Sequence, residues 1–183
     1  MPTRSPLPLL CLATVLSAQA PSTTTEAMAK LSFMRGTWVG EASGVAMDGS
    51  RYKVTQTERM GPLLGGDIIL VEGRGYKADG STGFNAFGVV SYSAQTKTYE
   101  FRSYAMGYAG TFTLTPTAGG YTWDIPIGPG VIRYTATVKD GVWHEVGDRI
   151  FPGAAPVRTF EMTLKRTGDT DWPGANPVAF TAK

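Results

Sequence analysis

The fold is decided by the stretch Tyr121-Thr122-Trp123-Asp124-Ile125-Pro126-Ile127, in which apolar and polar residues alternate. The segment 111–115, Thr-Phe-Thr-Leu-Thr, alternates in the same way. A period of two places successive side chains on opposite faces of a β-strand. Both segments therefore predict strands with one apolar and one polar face, as in an antiparallel sheet that is buried on one side.

Outward from this stretch, the chain divides into about ten short runs separated by turn signals such as Gly128-Pro129-Gly130 and Asp140-Gly141. A turn every 8–12 residues or so is typical of an all-β sandwich or barrel. The predicted strands cover 36–46, 51–60, 66–75, 85–92, 97–105, 109–116, 121–127, 131–138, 142–151 and 157–166. Because closure removes both exposed edges of such a meander, the pattern favours a closed antiparallel up-and-down barrel over a sandwich. Ten strands make a barrel wide enough to leave a cavity.

Composition and charge exclude several classes of protein. The 183 residues include 23 glycines and 12 prolines, a share below the roughly 25–30% of low-complexity chains. Basic and acidic residues nearly balance at 17 and 15, with no block of like charge, which argues against a nucleic-acid partner. A domain of this size buries enough surface to form a core without disulfides or a structural metal.

The first twenty residues resemble a secretory signal peptide, with Arg4, an apolar run over 7–16 and small residues near its end. Cleavage after Ser17 or after Ala20 fits this pattern, so we expect a secreted, periplasmic protein. The apolar run is shorter than the roughly 20 residues of a membrane span. Its removal takes away Cys11, the single cysteine, and with it any disulfide or thiolate metal site.

Four segments are predicted along the chain: the signal peptide 1–20, a linker with the start of a short helix 21–30, the barrel 31–168, and a C-terminal tail 169–183. Thr25 is the predicted cap of the helix, which runs through Met34 and ends at Gly36. The tail lacks strand periodicity, although Trp172 and Phe180 are able to dock it against the barrel.

The segment 31–41, Leu-Ser-Phe-Met-Arg-Gly-Thr-Trp-Val-Gly-Glu, resembles the entry of the lipocalin and fatty-acid-binding-protein superfamily. There a short helix closes one end of the barrel and Gly-x-Trp opens the first strand. The segment 160–166 is similar to the closing strand of those families, whose terminal arginine packs across the tryptophan. The resemblance implies structural roles for Gly36, Trp38 and Arg166, with the guanidinium of Arg166 stacked on the indole of Trp38.

Two narrower resemblances follow from short motifs. Gly-Thr-Trp-x-Gly-Glu at 36–41, Leu-Gly-Gly at 64–66, Trp-x-Glu at 143–145 and Met-Thr-Leu-Lys-Arg at 162–166 resemble an uncharacterised bacterial group of lipocalin-like envelope domains. The opening motif is also similar to that of nitrobindin, a ten-stranded barrel that binds haem through a histidine near the chain end. Glu41 and Ala42 interrupt that pattern, and the final strand has no histidine.

His144 is the only histidine and therefore the only imidazole base or ligand. The phase of its strand stays open: either His144, Asp148 and their apolar neighbours point inward, or Trp143, Glu145, Gly147, Arg149 and Phe151 do. Glu145 and Arg149 are predicted to belong to a charge ladder on the barrel wall. Zinc is not expected, because one histidine cannot supply its usual ligand set.

The candidate ligand-binding residues are polar groups that would orient a head group and aromatic residues that would line a cavity. They are His144, Arg102, Arg133 and Arg149, together with Tyr99, Phe101, Phe112, Tyr121 and Trp123. No helix follows the glycine-rich segments and no Gly-x-Ser-x-Gly elbow occurs, so no nucleotide site or hydrolase triad is predicted. The sequence favours a barrel that binds a small apolar or amphipathic molecule without a cofactor. The alternatives are a haem-binding or enzymatic barrel that uses His144 and a filled barrel that binds a protein partner.

Overall fold

The structure of the protein is a computed structural model that describes residues 23–46 and 48–174. The predicted signal peptide and Phe180 lie outside the described residues. Secondary structure begins with helix α1 (Thr23–Ala29), followed by a 3₁₀ turn (Ser32–Met34). The strands are β1 (Gly36–Val45), β2 (Arg51–Leu63), β3 (Ile68–Tyr76), β4 (Thr82–Ser93), β5 (Thr98–Ala105), β6 (Tyr108–Thr117), β7 (Gly120–Ile127), β8 (Gly130–Lys139), β9 (Val142–Ile150) and β10 (Val157–Gly168).

The strands form a closed antiparallel barrel in which sequence neighbours are also neighbours in space. Closure is made by β1, which pairs with β2 on one side and with β10 on the other. The predicted fold class and strand order are therefore confirmed. Because every strand of the described barrel has two partners, no backbone edge is left open.

Strand boundaries differ from the prediction by up to three residues, most at the end of β2 and the start of β4. The predicted turn Gly61-Pro62 belongs to β2, because these residues stay in register with Leu70 and Ile69 of β3. Strand β4 begins at Thr82 instead of residue 85, and β10 continues to Gly168. Pairing with the neighbouring strand thus overrides local turn chemistry.

The N-terminal helix is shorter than predicted and begins earlier. It starts at Thr23, within the segment predicted as a linker, and ends at Ala29 before the 3₁₀ turn. Thr25 lies inside the helix and is not its cap, since its hydroxyl donates to Asp67 Oδ1 after β2. This contact fastens α1 to the barrel.

The short helix closes one end of the barrel, as expected. Met28, Leu31 and Met34 are buried in the same core as Trp38. The Trp38 Nε1 donates to the carbonyl of Met34 at 3.0 Å, and the Tyr99 hydroxyl donates to the carbonyl of Ala27 at 2.8 Å. Hence we call this the closed end and the opposite one the open end.

The implied pairing of Trp38 with Arg166 is correct in register but wrong in geometry. The two residues are partners across β1 and β10. The indole instead meets Trp143 edge to face, with ring centroids 5.7 Å apart. The Arg166 guanidinium donates to the carbonyl of Arg35 at 3.4 Å and forms an ion pair with Asp169. Arg166 therefore ties the end of β10 to the chain that enters β1.

The described part of the tail docks on the outside of the barrel, as Trp172 was predicted to allow. The indole of Trp172 lies 4.6 Å from the guanidinium carbon of Arg59 and meets Phe87 edge to face at 6.5 Å. None of the described helices combines the length and apolar character needed to cross a bilayer.

Candidate functional site

The candidate site is the interior of the barrel, which we call the lumen. Alternating burial along β2 and β9, and the pairing of β7 with β8, show which side chains face it. On β7 these are Tyr121, Trp123, Ile125 and Ile127, as the sequence predicted. On β9 they are Trp143, Glu145 and Gly147, which settles the open phase of that strand.

Trp123 is the centre of an aromatic cluster on the lumen wall. Its indole stacks on Tyr134 of β8 with centroids 4.4 Å apart and planes 11° apart. Phe101 and Phe112 approach it at 5.1 and 5.3 Å. Phe160 of β10 extends the cluster through Tyr134 at 5.7 Å. These rings are only partly buried, so they keep accessible surface inside the barrel.

Glycines on neighbouring strands allow these rings to lie along the wall. A Cβ added at Gly88 would lie 2.3 Å from the ring of Phe101, and one at Gly147 would lie 3.0 Å from the ring of Tyr134. At Gly110 the added atom would meet Phe112 at 2.4 Å. Since any larger residue would push the rings inward, the glycines keep the lumen wide.

Glu145 is a buried carboxylate at the edge of this cluster, with 6% of the residue exposed. Its Oε2 accepts from the Tyr121 hydroxyl at 3.0 Å, and its Oε1 accepts from Trp123 Nε1 at 3.2 Å. Burial raises the pKa of Glu145, and these hydrogen bonds act against the rise. The Tyr121 pKa is raised by burial and by the charge of Glu145.

Glu58 of β2 is a second carboxylate deep in the lumen. Its Oε1 accepts from Gln56 Nε2 at 2.7 Å. Burial raises the pKa of Glu58 to about 8; the Gln56 bond opposes the rise, and the charges of Glu145 and Glu72 add to it. The residue is surrounded by protein but keeps accessible surface, as expected of a side chain that faces an internal space. Gly73 provides room for it, because a Cβ there would lie 2.5 Å from Glu58 Oε1.

Trp143 completes the polar part of the lumen. The residue is 2% exposed, and its Nε1 has no hydrogen-bond partner. Its N–H nevertheless lowers the pKa of both Tyr121 and Glu145, so it lies close to the same oxygens without reaching hydrogen-bond geometry. We call Gln56, Glu58, Tyr121, Trp123, Trp143 and Glu145 the lumen acid cluster.

The polar residues predicted to orient a ligand do not gather in the lumen. His144 lies on the outer wall with its Nε2 3.1 Å from Glu161 Oε1. Arg102 and Arg133 are also outside, paired with Glu100 at 3.0 Å and Asp124 at 2.7 Å. Arg149 shares the phase of Glu145 but is exposed near the end of β9, with its guanidinium carbon 6.0 Å from the Phe151 ring.

The predicted aromatic residues all face the inside. Phe101, Phe112 and Trp123 belong to the aromatic cluster, Tyr121 to the lumen acid cluster, and Tyr99 to the closed end. Whether they contact a ligand stays a prediction. The expected charge ladder of Glu145 and Arg149 is wrong, because Glu145 is buried and bonded to Tyr121 and Trp123.

Sequence reasoning missed Gln56 and Glu58 entirely. The available signal was the period of two along β2. Gln56 and Glu58 lie on the same face of the strand as Val54 and Met60, which are both buried. Polar residues in an apolar phase of a buried strand mark groups that the interior must accommodate. Within the described ranges, no group of three or more His, Cys, Asp or Glu residues is arranged to hold a metal ion.

Two concavities lie at the open end. One, of about 380 Å³, is bordered by β4, β5 and β6 and includes Tyr104, Met106 and Tyr108. The other, of about 200 Å³, lies between β1, β2 and β10 and includes Tyr52 and Phe160. Phe160, a member of the aromatic cluster, is one of the residues that line the second concavity.

Comparison with known proteins defines the class of fold. No family model and no curated protein sequence matches the chain. Rv2717c from M. tuberculosis has a similar structure, with 12% identity and a TM-score of 0.58 over 80% of this chain and 98% of that one. The S-type phycobiliprotein lyase CPES from Guillardia theta is also similar, with 10% identity and a TM-score of 0.50 over 79% of this chain and 93% of that one. These likenesses show the fold alone, a closed ten-stranded antiparallel β-barrel.

Proposed function

We propose that the protein binds a small amphipathic molecule in the lumen, through the open end, without transforming it. The observation that carries this proposal is the partly exposed aromatic cluster around Trp123, with a polar group beside it. Concave, mostly apolar sites with a few placed polar groups are typical of small-molecule binding. The calycin-type barrel is compatible with this function.

The alternative that uses His144 for haem binding or catalysis finds no support in the lumen. The chain has one histidine, and its ring lies on the outer wall beside Glu161. A haem inside the barrel would therefore have no imidazole ligand. We expect His144→Ala to leave ligand binding unchanged.

A protein partner remains the second candidate, on a separate observation. Tyr104, Met106 and Tyr108 are 55, 60 and 77% exposed around the larger concavity. Exposed apolar groups that lie together mark interaction surfaces. A lumen that admits no ligand would favour this function over the first.

The experiment is titration with N-phenyl-1-naphthylamine, a neutral apolar probe that fluoresces when it leaves water. We expect saturable binding, abolished in Ile125→Trp, which places a second indole on the lumen side of β7. Thr113→Trp, on the exposed side of β6, is the matched control and should bind like the parent protein. Equal binding by both variants, with unchanged thermal unfolding, would place the probe elsewhere and refute the proposal. If binding in the lumen is found, native mass spectrometry of protein purified from its source identifies the natural ligand class.

We also propose that the protein is exported to the periplasm. The support is the pattern of Arg4, the apolar run and the small residues that follow it. N-terminal sequencing of the purified protein tests this: a start at Ala18 or Pro21 fits export, and retention of residues 1–17 contradicts it.

A further inference from the structure

The two lumen carboxylates have more acceptor capacity than the protein uses. Each carboxylate offers about four acceptor positions. Glu145 accepts two side-chain hydrogen bonds and Glu58 accepts one. Among side chains of the described residues, no donor is bonded to Glu58 Oε2. The donors that complete these carboxylates have to come from outside the protein.

The carboxylates also lack a counter-ion. Among the described residues, no ion pair includes Glu58 or Glu145. The charge of Glu145 raises the pKa of Glu58, and the charge of Glu58 raises the pKa of Tyr121, which donates to Glu145. Three arginines of the barrel strands, Arg59, Arg133 and Arg158, pair with acids on the outer wall instead. Their partners are Glu72, Asp124 and Asp148. Two buried acids without a cation are unfavourable, because burial and mutual repulsion both oppose their charge.

Trp143 does not fill the remaining acceptor positions of Glu145. Its Nε1 is a buried donor without a partner, directed at the region of Tyr121 and Glu145. Because an indole N–H only donates, Trp143 adds no acceptor, and the positions left on Glu145 stay open to a donor from another molecule.

We propose that the barrel selects amphiphiles whose head group is a protonated amine. The ammonium group lies between Glu58 and Glu145 and donates to their free acceptor positions. The apolar chain lies along Trp123 and Tyr134, whose ring faces also attract a cation. This inference rests on the proposed function, since it specifies the ligand class of the same lumen.

Three compounds with the same ten-carbon chain test the inference: decylamine, decanol and decanoate. Each is titrated against bound N-phenyl-1-naphthylamine at pH 7.5, where an alkylamine is protonated and a carboxylic acid is ionised. We expect decylamine to displace the probe at a concentration at least tenfold lower than decanol. Decanoate should be the weakest, because its carboxylate cannot donate to Glu58 or Glu145 and is repelled by either group when that group is ionised.

Isosteric variants locate the selectivity. Glu145→Gln should weaken decylamine at least tenfold and leave decanol within twofold; Glu58→Gln is a second, independent variant with the same expectation. The matched control is Glu161→Gln on the outer wall, which should not change any of the three affinities. Circular dichroism confirms that each variant is folded before titration.

The outcomes separate this inference from the proposed function. If the probe binds but decanol or decanoate equals decylamine, the lumen binds ligands without selecting amines, and only this inference is overturned. The same holds if both glutamine variants keep the full preference for decylamine. If the probe does not enter the barrel at all, the proposed function fails and the inference fails with it.

Discussion

At the scale of single residues, ionisation of the Glu58 side chain is the proton release that opposes folding most directly. Its folded-state pKa of about 8 lies above the ordinary value of a glutamate, so the folded protein holds a proton that the unfolded chain releases. Stability should therefore fall as the pH rises from about 4.5, the ordinary pKa of a glutamate, to about 8, by up to about 1.4 kcal/mol per pH unit, and should level off above 8. The groups that act on Glu58 are Gln56, Tyr121 and Glu145 in the lumen and, across the wall, Glu72, which pairs with Arg59. Of these, Glu145 acts in the same direction because its pKa is also raised.

Urea unfolding of the ligand-free protein between pH 6 and 9 measures this dependence. Glu58→Gln, which stays neutral, should flatten the curve relative to the parent protein. Glu41→Gln, on the exposed face of β1, is the control and should keep the parent's slope. A Glu58→Gln curve as steep as the parent's would mean that Glu58 is ionised in the folded state.

The same residues show where sequence reasoning stops. Tyr121 and Trp123 were placed correctly, because all the apolar residues of β7 share one phase. On β9 both phases mix apolar and polar residues, so the alternation of Trp143, His144 and Glu145 could not decide which of them enters the lumen. Only the register with β8 and β10 fixes Glu145 inside.

At the scale of elements, the closed end depends on Trp38 at the start of β1. The residue is 1% exposed, bonded to the 3₁₀ turn and packed on Trp143 of β9. Trp38→Ala should therefore lower the free energy of unfolding by about 3–5 kcal/mol, as large-to-small core substitutions do. Val39→Ala, whose side chain is on the outer face of β1, is the control and should cost far less. Thermal and urea unfolding measure both; a loss below about 1 kcal/mol for Trp38→Ala would contradict its role in closure.

Gly36 begins the same strand and allows β1 to meet β10. Its φ is +123°, and a Cβ would lie 2.6 Å from the carbonyl oxygen of Gly168 and 2.8 Å from Arg166 Nη2. We expect Gly36→Ala to destabilise the protein by about 1–3 kcal/mol. Gly141→Ala separates the two causes, because Gly141 also has a positive φ, of +72°, but open space around its Cβ position. Equal losses in urea unfolding would show that backbone strain alone, without the contact, explains the effect.

Strand boundaries were predictable where turn residues such as glycine and proline separate two strands. They were less predictable where pairing extends a strand through such residues. Gly128-Pro129-Gly130 and Asp140-Gly141 mark real turns. Gly61-Pro62 does not, because β3 continues to pair with it. The arginine on β10 was expected to stack on Trp38; it turns instead to a backbone carbonyl and an acid that local sequence cannot locate.

For the whole molecule, strand count and order followed from turn spacing, because each strand pairs with its sequence neighbours in a meander. The depth and polarity of the lumen did not follow, since they depend on which residues face each other across the barrel. The charge of Glu145 on β9 raises the pKa of Glu58 on β2, although the two residues are far apart in the chain. No local pattern encodes such a pair.

The topology also predicts the order of folding. Hairpins such as β5–β6 form between adjacent segments, whereas the β1–β10 seam joins residues about as far apart as the barrel sequence allows, such as Ala42 and Met162. Because loop-closure entropy opposes distant contacts, the seam should form after the transition state and the hairpin before it. Met162→Ala and Leu114→Ala remove comparably buried side chains from the two places. In stopped-flow measurements Met162→Ala should mainly speed unfolding, and Leu114→Ala should slow folding more. The opposite pattern would mean that the barrel closes before its hairpins are in place.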